Sequence, residues 1–514
     1  MKWNLAKIIV LMVLITSMRS AAQGQPASRA SKRHHSRYKL IDMGTFGGPA
    51  SGVNSGDHGS FSVSVVNNQG TLAGLAETSQ ADPFPTFCFT DDCYVAHAFQ
   101  WHAGVRTDLG TLADGVSSQA TWVSSSGLIA GVSENGAIDP LLPDLPELRA
   151  VLWRNGHITD LGTLPEGGYE SFANAVNGTG QVIGGALNTV PDQNSLAGPG
   201  FLPTQTRAFL WEHGAMEDLG TLGGTDAIAQ FINEQGQVVG WSYTSAAPNT
   251  SCPSVFPVAT GSFIWDSRYG MQDLGTLGGT CTLVTGLNNK GIAVGISFNG
   301  EQIERGFLWR NGIIQDLGGS LGGDFTGSEG INDRGAIAGW AYLAGNASYH
   351  AALWQQVGNI TDLGVVAGDD CSFASSINAK TQIVGTSLGD GCTFDENSRG
   401  FLWESGSLYD LNALIPPGAS LYLLLALAIN DRGEIAGSGL DLNGNRHAFL
   451  LVPCAAHSAS DCQEVIADTA STASISRMFP PRSTIANQLN PFRHPLSRGL
   501  GPQARGPRLL PKKN

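Results

Sequence analysis

A seven-residue phrase, Asp-Leu-Gly-Thr-Leu-Gly-Gly, occurs intact at 218–224 and 273–279, and variants of it place an aspartate at Asp42, Asp108, Asp160, Asp218, Asp273, Asp316, Asp362 and Asp410. A chain that restates one motif at intervals of roughly 50 residues builds an array of like units rather than one irregular core. Ahead of the motif an apolar run ends in tryptophan, at Trp101, Trp153, Trp211, Trp265, Trp309, Trp354 and Trp403, and turns through Gly104, Gly156, Gly214, Gly270, Gly312, Gly358 and Gly406. A residue present in nearly every unit serves what every unit shares, so these tryptophans belong to the core.

A second signature follows the motif: an apolar residue, Asn, two variable residues, then Gly and a short apolar run. It is seen at Asn67, Asn177, Asn233, Asn288, Asn332, Asn378 and Asn430, while unit two has Ser124 in the asparagine's place. Asn and Gly tolerate the positive φ of tight turns, so each signature reads as a two-stranded hairpin. With the Trp-ended strand and the strand ending at Asp-Leu, every unit has four short antiparallel strands, which is a propeller blade. Helical periodicity is absent from 38–452.

The ends of the array strengthen this reading. Residues 38–43 match only a fourth strand, and the last unit stops after a third strand at 447–452. The first strand can therefore complete the last blade and hide an otherwise exposed edge. The expected fold is all-β: a propeller of four-stranded antiparallel blades, eight in number, closed by the N-terminal strand. A seven-bladed ring and an open β-solenoid are the alternatives.

Outside the array, residues 1–22 read as a signal peptide, with Lys2 and Lys7 before an apolar core and small residues near Ala22. A basic arm (23–37) follows, and a short Cys-containing extension (453–476) and a basic, Pro-rich tail (477–514) end the chain. Removing the cations of the two termini leaves 13 Lys and Arg against 43 acidic residues, so the body is near −30 although the whole chain is −14. Such a body disfavours nucleic acid as a partner. No apolar run after the leader is long enough to span a bilayer, and the expected location is outside the cell or in the periplasm. The eight cysteines, Cys88, Cys93, Cys252, Cys281, Cys371, Cys392, Cys454 and Cys462, are even in number and lack CxxC spacing. In an exported chain they read as disulfides, with neighbours along the chain as the economical partners.

His97-Ala98-Phe99, His447-Ala448-Phe449 and Arg207-Ala208-Phe209-Leu210-Trp211, taken with the Asp-Leu-Gly phrases, resemble the extracellular HAF-repeat proteins of bacteria over residues 38–452. The resemblance implies export and carries over no activity and no catalytic residues. The first motif position varies, which points to a structural histidine.

Chemistry is expected where units depart from the template. The loops between second and third strands are long in units one to four, at 77–95, 134–148, 187–206 and 243–261, predicting one decorated half of one face. Candidate binding aromatics are Trp241, Tyr243, Trp340 and Tyr342, which follow the second-strand glycine, with Phe87 and Tyr94 in the first insertion. Glu170, Asp226, Asp324 and Asp369 follow the crossing and, with the first strand innermost, would gather at the channel mouth. Catalytic motifs, calcium loops and cofactor signatures are absent, so no catalytic residue, metal or cofactor is assigned. The sequence reads as a non-enzymatic binding or scaffold module for a glycan or protein, the alternative being a polysaccharide hydrolase or lyase using channel carboxylates.

Overall fold

The computed structural model describes residues 38–53, 64–85, 87–197, 203–248 and 258–454, together with Cys462 and Val465–Ile466. The expected signal peptide, basic arm and basic tail lie outside the described residues, as do Cys252 and most of the 453–476 extension.

Eight antiparallel sheets form an eight-bladed propeller, as the repeat predicted. Blade 2 is typical, with strands Ser118–Val123, Ile129–Ile138, Pro146–Arg154 and His157–Asp160 in that order across the sheet. First strands of successive blades touch around the axis, while fourth strands, such as His157–Asp160, are largely exposed at the rim. Blade 8 is closed as expected: Tyr38–Asp42 pairs antiparallel with Arg446–Pro453, Leu40 facing Leu451 and Asp42 facing Phe449. Val465–Ile466 then adds a parallel fifth strand outside Tyr38–Asp42.

The recurring phrase is a device for leaving one blade and entering the next. In all eight units an Oδ1 of the aspartate accepts the backbone N–H two residues on, from Gly44, Gly110, Gly162, Gly220, Gly275, Gly318, Gly364 or Asn412, at 2.7 to 2.8 Å. These glycines have positive φ, for example 87° at Gly220, so the Asx turn and the left-handed residue reverse the chain together. The basic residue of the His-Ala-Phe or Arg-Ala-Phe position then pairs with that aspartate: His97 with Asp108 at 2.9 Å, Arg207 with Asp218 at 2.7 Å, Arg305 with Asp316 at 3.0 Å, His350 with Asp362 at 2.9 Å and His447 with Asp42 at 2.9 Å. Either cation closes the third strand onto the fourth, which explains why the position alternates.

The second signature does more than turn a hairpin. Each asparagine Oδ1 accepts N–H groups of its own turn, as Asn332 does from Arg334 and Ala336 at 3.0 Å. Its Nδ2 donates to the backbone carbonyl at the same place in the next blade. The links run Asn67 to Ser124 (2.9 Å), Asn177 to Asn233 (3.2 Å), Asn233 to Asn288 (3.2 Å), Asn288 to Asn332 (3.1 Å), Asn332 to Asn378 (2.9 Å), Asn378 to Asn430 (2.9 Å) and Asn430 back to Asn67 (2.8 Å). The circuit is broken where blade 2 has Ser124, whose hydroxyl instead serves the N–H of Leu128. There Ser125 reaches past blade 3 to Glu234 of blade 4 at 2.7 Å, and Glu234 also accepts the N–H of Gly178.

The decorated half differs from expectation in how it is built. Much of what read as loop is strand: second strands span Leu72–Ala81, Ile129–Ile138, Val182–Pro191 and Val238–Pro248 in blades 1–4, but only Ala293–Asn299, Ile337–Leu343, Ile383–Leu388 and Ile435–Leu440 in blades 5–8. All four long hairpins carry a register shift at the same height, after Glu77, Glu134, Leu187 and Tyr243. Half the ring therefore stands taller than the rest on the loop-bearing face.

Candidate functional site

The expected binding aromatics separate into buried and open. Trp241, Tyr243, Trp340 and Phe87 are at most 1 % exposed and present no face to a ligand. Packing of neighbouring blades explains the correction for Trp241 and Tyr243, since both sides of their strand are covered and every residue from Val238 to Tyr243 is buried. Their polar ends are occupied: the Trp241 indole donates to the Val284 carbonyl at 3.1 Å, Tyr243 Oη to the Asn194 carbonyl at 2.8 Å, and the Trp340 indole to Glu329 Oε1 at 3.0 Å. Phe87 stacks edge-on against Phe89 at 5.5 Å. Tyr94 and Tyr342 remain half-buried. Tyr342 sits among Phe325 (5.3 Å), Trp340 (5.9 Å) and Tyr349 (5.3 Å) on the low side of the face.

The acids do not gather at a channel mouth as a set. Asp324 is exposed and exchanges hydrogen bonds with Asn346 at 2.8 and 2.9 Å, and Asp369 is held by the Arg399 guanidinium. Glu170 and Asp226 are buried, at 4 % and 0 % exposure, and two further acids join them that sequence reading passed over, Glu77 and Glu134. These two lie three residues after Gly74 and Gly131, where other blades carry Leu, Phe or Tyr. The departure from an apolar repeat position was the available signal.

Each of the four sits where a crossing meets a tall hairpin. Glu77 Oε2 accepts the N–H of Ala50 at 2.8 Å. Glu134 Oε2 accepts those of Val116 (3.0 Å) and Ser117 (3.1 Å). Asp226 Oδ1 accepts those of Leu196 (3.0 Å) and Thr206 (2.7 Å). Burial pushes Glu77 and Glu134 up to about 7, with Asp91 and Asp92 adding to the first and Asp82 to the second. Burial and the neighbouring Asp139 push Glu170 up to about 9, opposed by Arg149. Asp226 is likewise raised by burial, against the hydrogen bonds it accepts.

Around these groups the inserted loops have a core of their own. Phe87, Phe89, Leu145, Leu148, Leu196 and Ala197 join one buried cluster with Phe231 and Trp241. Cys88 and Cys93 are bridged within the first loop, Cys371 and Cys392 link the crossing and loop of blade 7, and Cys454 is bridged to Cys462. Cys281 is also disulfide-bonded, and Cys252, its expected partner, lies outside the described residues. Asp441, Asn443 and Asn445 form an Asx turn: Asp441 Oδ1 accepts both asparagine N–H groups at 2.8 Å. Among the described residues no group of three or more His, Cys, Asp or Glu is arranged to hold a metal, and no helix is long and apolar enough to cross a membrane.

No protein-family model and no curated protein matches the sequence. Several solved structures resemble the chain at low sequence identity. The β-propeller domain of the Trilobed protease from Pyrococcus furiosus is 9 % identical, with 68 % of this chain and 98 % of that one covered and a TM-score of 0.39. An acylaminoacyl peptidase from Pyrococcus horikoshii is 9 % identical at a TM-score of 0.37, and the match covers 75 % of this chain and 59 % of the peptidase. The polysaccharide lyase Uly1 is 8 % identical at 0.34, with 82 % and 99 % covered. At these values the likenesses carry no inference about ligand or reaction.

Proposed function

We propose that this chain is an exported binding or scaffold propeller, akin to the HAF-repeat proteins, that recognises a glycan or protein at the cell exterior through the tall half of its loop-bearing face. The observation that carries the reading is the raised hairpins of blades 2 and 3, which keep Ile138, Leu141 and Val190 at 43 to 48 % exposure while their bases are packed like a domain core. Rigid supports under exposed apolar tips suit recognition, because little ordering is left to be done on binding. Half-buried Tyr94 and Tyr342 offer flat surface on either side of the step. The burial of Glu170 and Asp226 supports binding over carboxylate-mediated cleavage. The bridged cysteines support an oxidising location.

The test is a glycan array and an exterior-protein binding screen with the full chain and with a variant whose 135–146 hairpin is replaced by the short turn at 299–303 of blade 5. Retention without product release, lost in the variant, is the expected result. Release of cleaved product, abolished by Asp226→Asn, would reverse the reading in favour of hydrolysis or elimination.

A further inference from the structure

Across the first hairpin of every blade, the residue just ahead of the inner-strand Ser/Thr position faces the residue three after the second-strand glycine. The pairs are Ala50 and Glu77, Ser117 and Glu134, Glu170 and Leu187, Asp226 and Tyr243, Cys281 and Phe298, Phe325 and Tyr342, Cys371 and Leu388, Tyr422 and Leu440. Blades 1–4 thus each hold a single carboxyl at this pair, and blades 5–8 hold none. The division coincides with the division into tall and low blades.

Three of the tall hairpins also open their loops with an acid: Asp82, Asp139 and Asp192. Each caps its own loop, accepting the N–H of Phe84 (2.8 Å), Leu141 (2.7 Å) and Asn194 (2.7 Å). Each also faces the carboxyl of the following blade. Ser117 Oγ donates to Asp82 Oδ2 at 3.2 Å while its N–H serves Glu134, so the two acids flank one serine. Glu170 lies against Asp139, and its Oε1 meets no N–H or O–H donor. Asp226 lies in the field of Asp192 and grips that loop by its backbone at Leu196. Two carboxyls form a hydrogen bond with each other only while one keeps its proton; ionised together in a buried site they repel.

We infer that loop two, residues 134–148, is fastened to blade 3 by a proton shared between Asp139 and Glu170, so that this part of the tall half is locked in acid and loosens in alkali. Among the described residues, the charged and titratable groups facing these sites are few: Asp91 and Asp92 near Glu77, Asp82 near Glu134, Asp139, Glu147 and Arg149 near Glu170, and Asp192 and Tyr243 near Asp226. Arg149 is the one cation among them and is already paired with Glu147 at 2.8 Å. A carboxyl whose folded pKa lies above its unfolded one contributes stability that is full below the unfolded value, near 4. That contribution is lost as pH rises through the folded value. For Glu170 the loss therefore runs from the unfolded value up to about 9. The inference does not depend on what the face binds.

The test is hydrogen exchange of peptides spanning 77–95, 134–148 and 187–206 in the full chain between pH 5 and pH 9.5, corrected for the chemical exchange rate, beside the low-half peptide 337–354. Protection should fall at least tenfold in 134–148 across this range and stay level at 337–354. Glu170→Gln should restore most of the protection of 134–148 at pH 9.5, with Asp139→Asn as the second variant should the first not fold. Asp324→Asn should leave the 134–148 profile unchanged. A flat 134–148 profile, or a Glu170→Gln profile that parallels the unmodified chain, would overturn the inference. So would recovery of protection at pH 9.5 on adding millimolar calcium, which would make the bridge a cation.

Discussion

Blades 1–4 and blades 5–8 follow one template, yet they solve the junction between crossing and hairpin in opposite ways. The low blades fill it with Cys281 and Phe298, Phe325 and Tyr342, Cys371 and Leu388, or Tyr422 and Leu440. The Cys371 to Cys392 bridge and the contact of Phe325 with Tyr342 at 5.3 Å belong to this apolar solution. The tall blades place a carboxyl there, which in blades 1, 2 and 4 accepts backbone N–H groups, as Glu134 does from Val116 and Ser117, and in blade 3 lies against Asp139. At this junction height and a buried carboxyl therefore go together, and the buried N–H groups found there require acceptors.

Four experiments break or sharpen this contrast. Deleting residues 38–43 tests whether the halves are separate at all. Tyr38, Leu40 and Ile41 are buried, and at about 2 kcal/mol each the loss is roughly 6 kcal/mol or more. A single, strongly lowered thermal transition is expected, whereas two transitions in calorimetry would mean that the tall half stands alone. Next, Phe298→Glu moves the tall-half carboxyl into blade 5, which lacks the crossing N–H groups to receive it. A cost of roughly 3 to 5 kcal/mol is expected at pH 8, where the new acid must ionise or hold its proton against solvent, and clearly less at pH 5. Equal cost at both pH values in denaturant titrations would break the comparison.

Asn233→Ala and Asn332→Ala probe the feature that the halves share. Each removes two acceptor contacts and the link to the next blade, leaving buried backbone groups unpaired at a cost of about 2 to 3 kcal/mol. Similar losses of denaturation midpoint in the two variants would confirm a common hoop; a large difference would assign it to one half. The smallest effect is expected from Ser124→Asn, which restores the missing link from blade 2 to blade 3. It should stabilise by about 1 kcal/mol in the same titration, and any loss of stability would show that Ser125 and Glu234 occupy the space the link needs.

Blade count, strand order and closure were legible because they follow from period and turn chemistry, both written in every unit. Hairpin height was only partly so: 77–95 looked like loop because Ser79, Gln80 and Ala81 lack an apolar alternation, yet the backbone pairs regardless of side chain. The asparagine was read as a turn residue, which it is. Its second role was out of reach, since the carbonyl it grips belongs to a residue some fifty positions away, as in Asn332 and Asn378. Trp241 and Tyr243 were expected near a surface and lie in the core, because their depth depends on blades that pack beside them rather than on their own strand. Glu77 and Glu134 could have been found by asking which residues violate an apolar column of the repeat.

The closure of blade 8 sets a condition on how the molecule is made. Tyr38–Asp42 is the first described strand to be synthesised and its partner Arg446–Pro453 among the last, so the strand waits through the making of seven blades with its edge unpaired. An unpaired apolar strand is an invitation to other chains. Any product truncated before residue 446 can assemble blades but never a ring, and it keeps that edge open. Completion of the chain, rather than any single contact, is what ends the exposure.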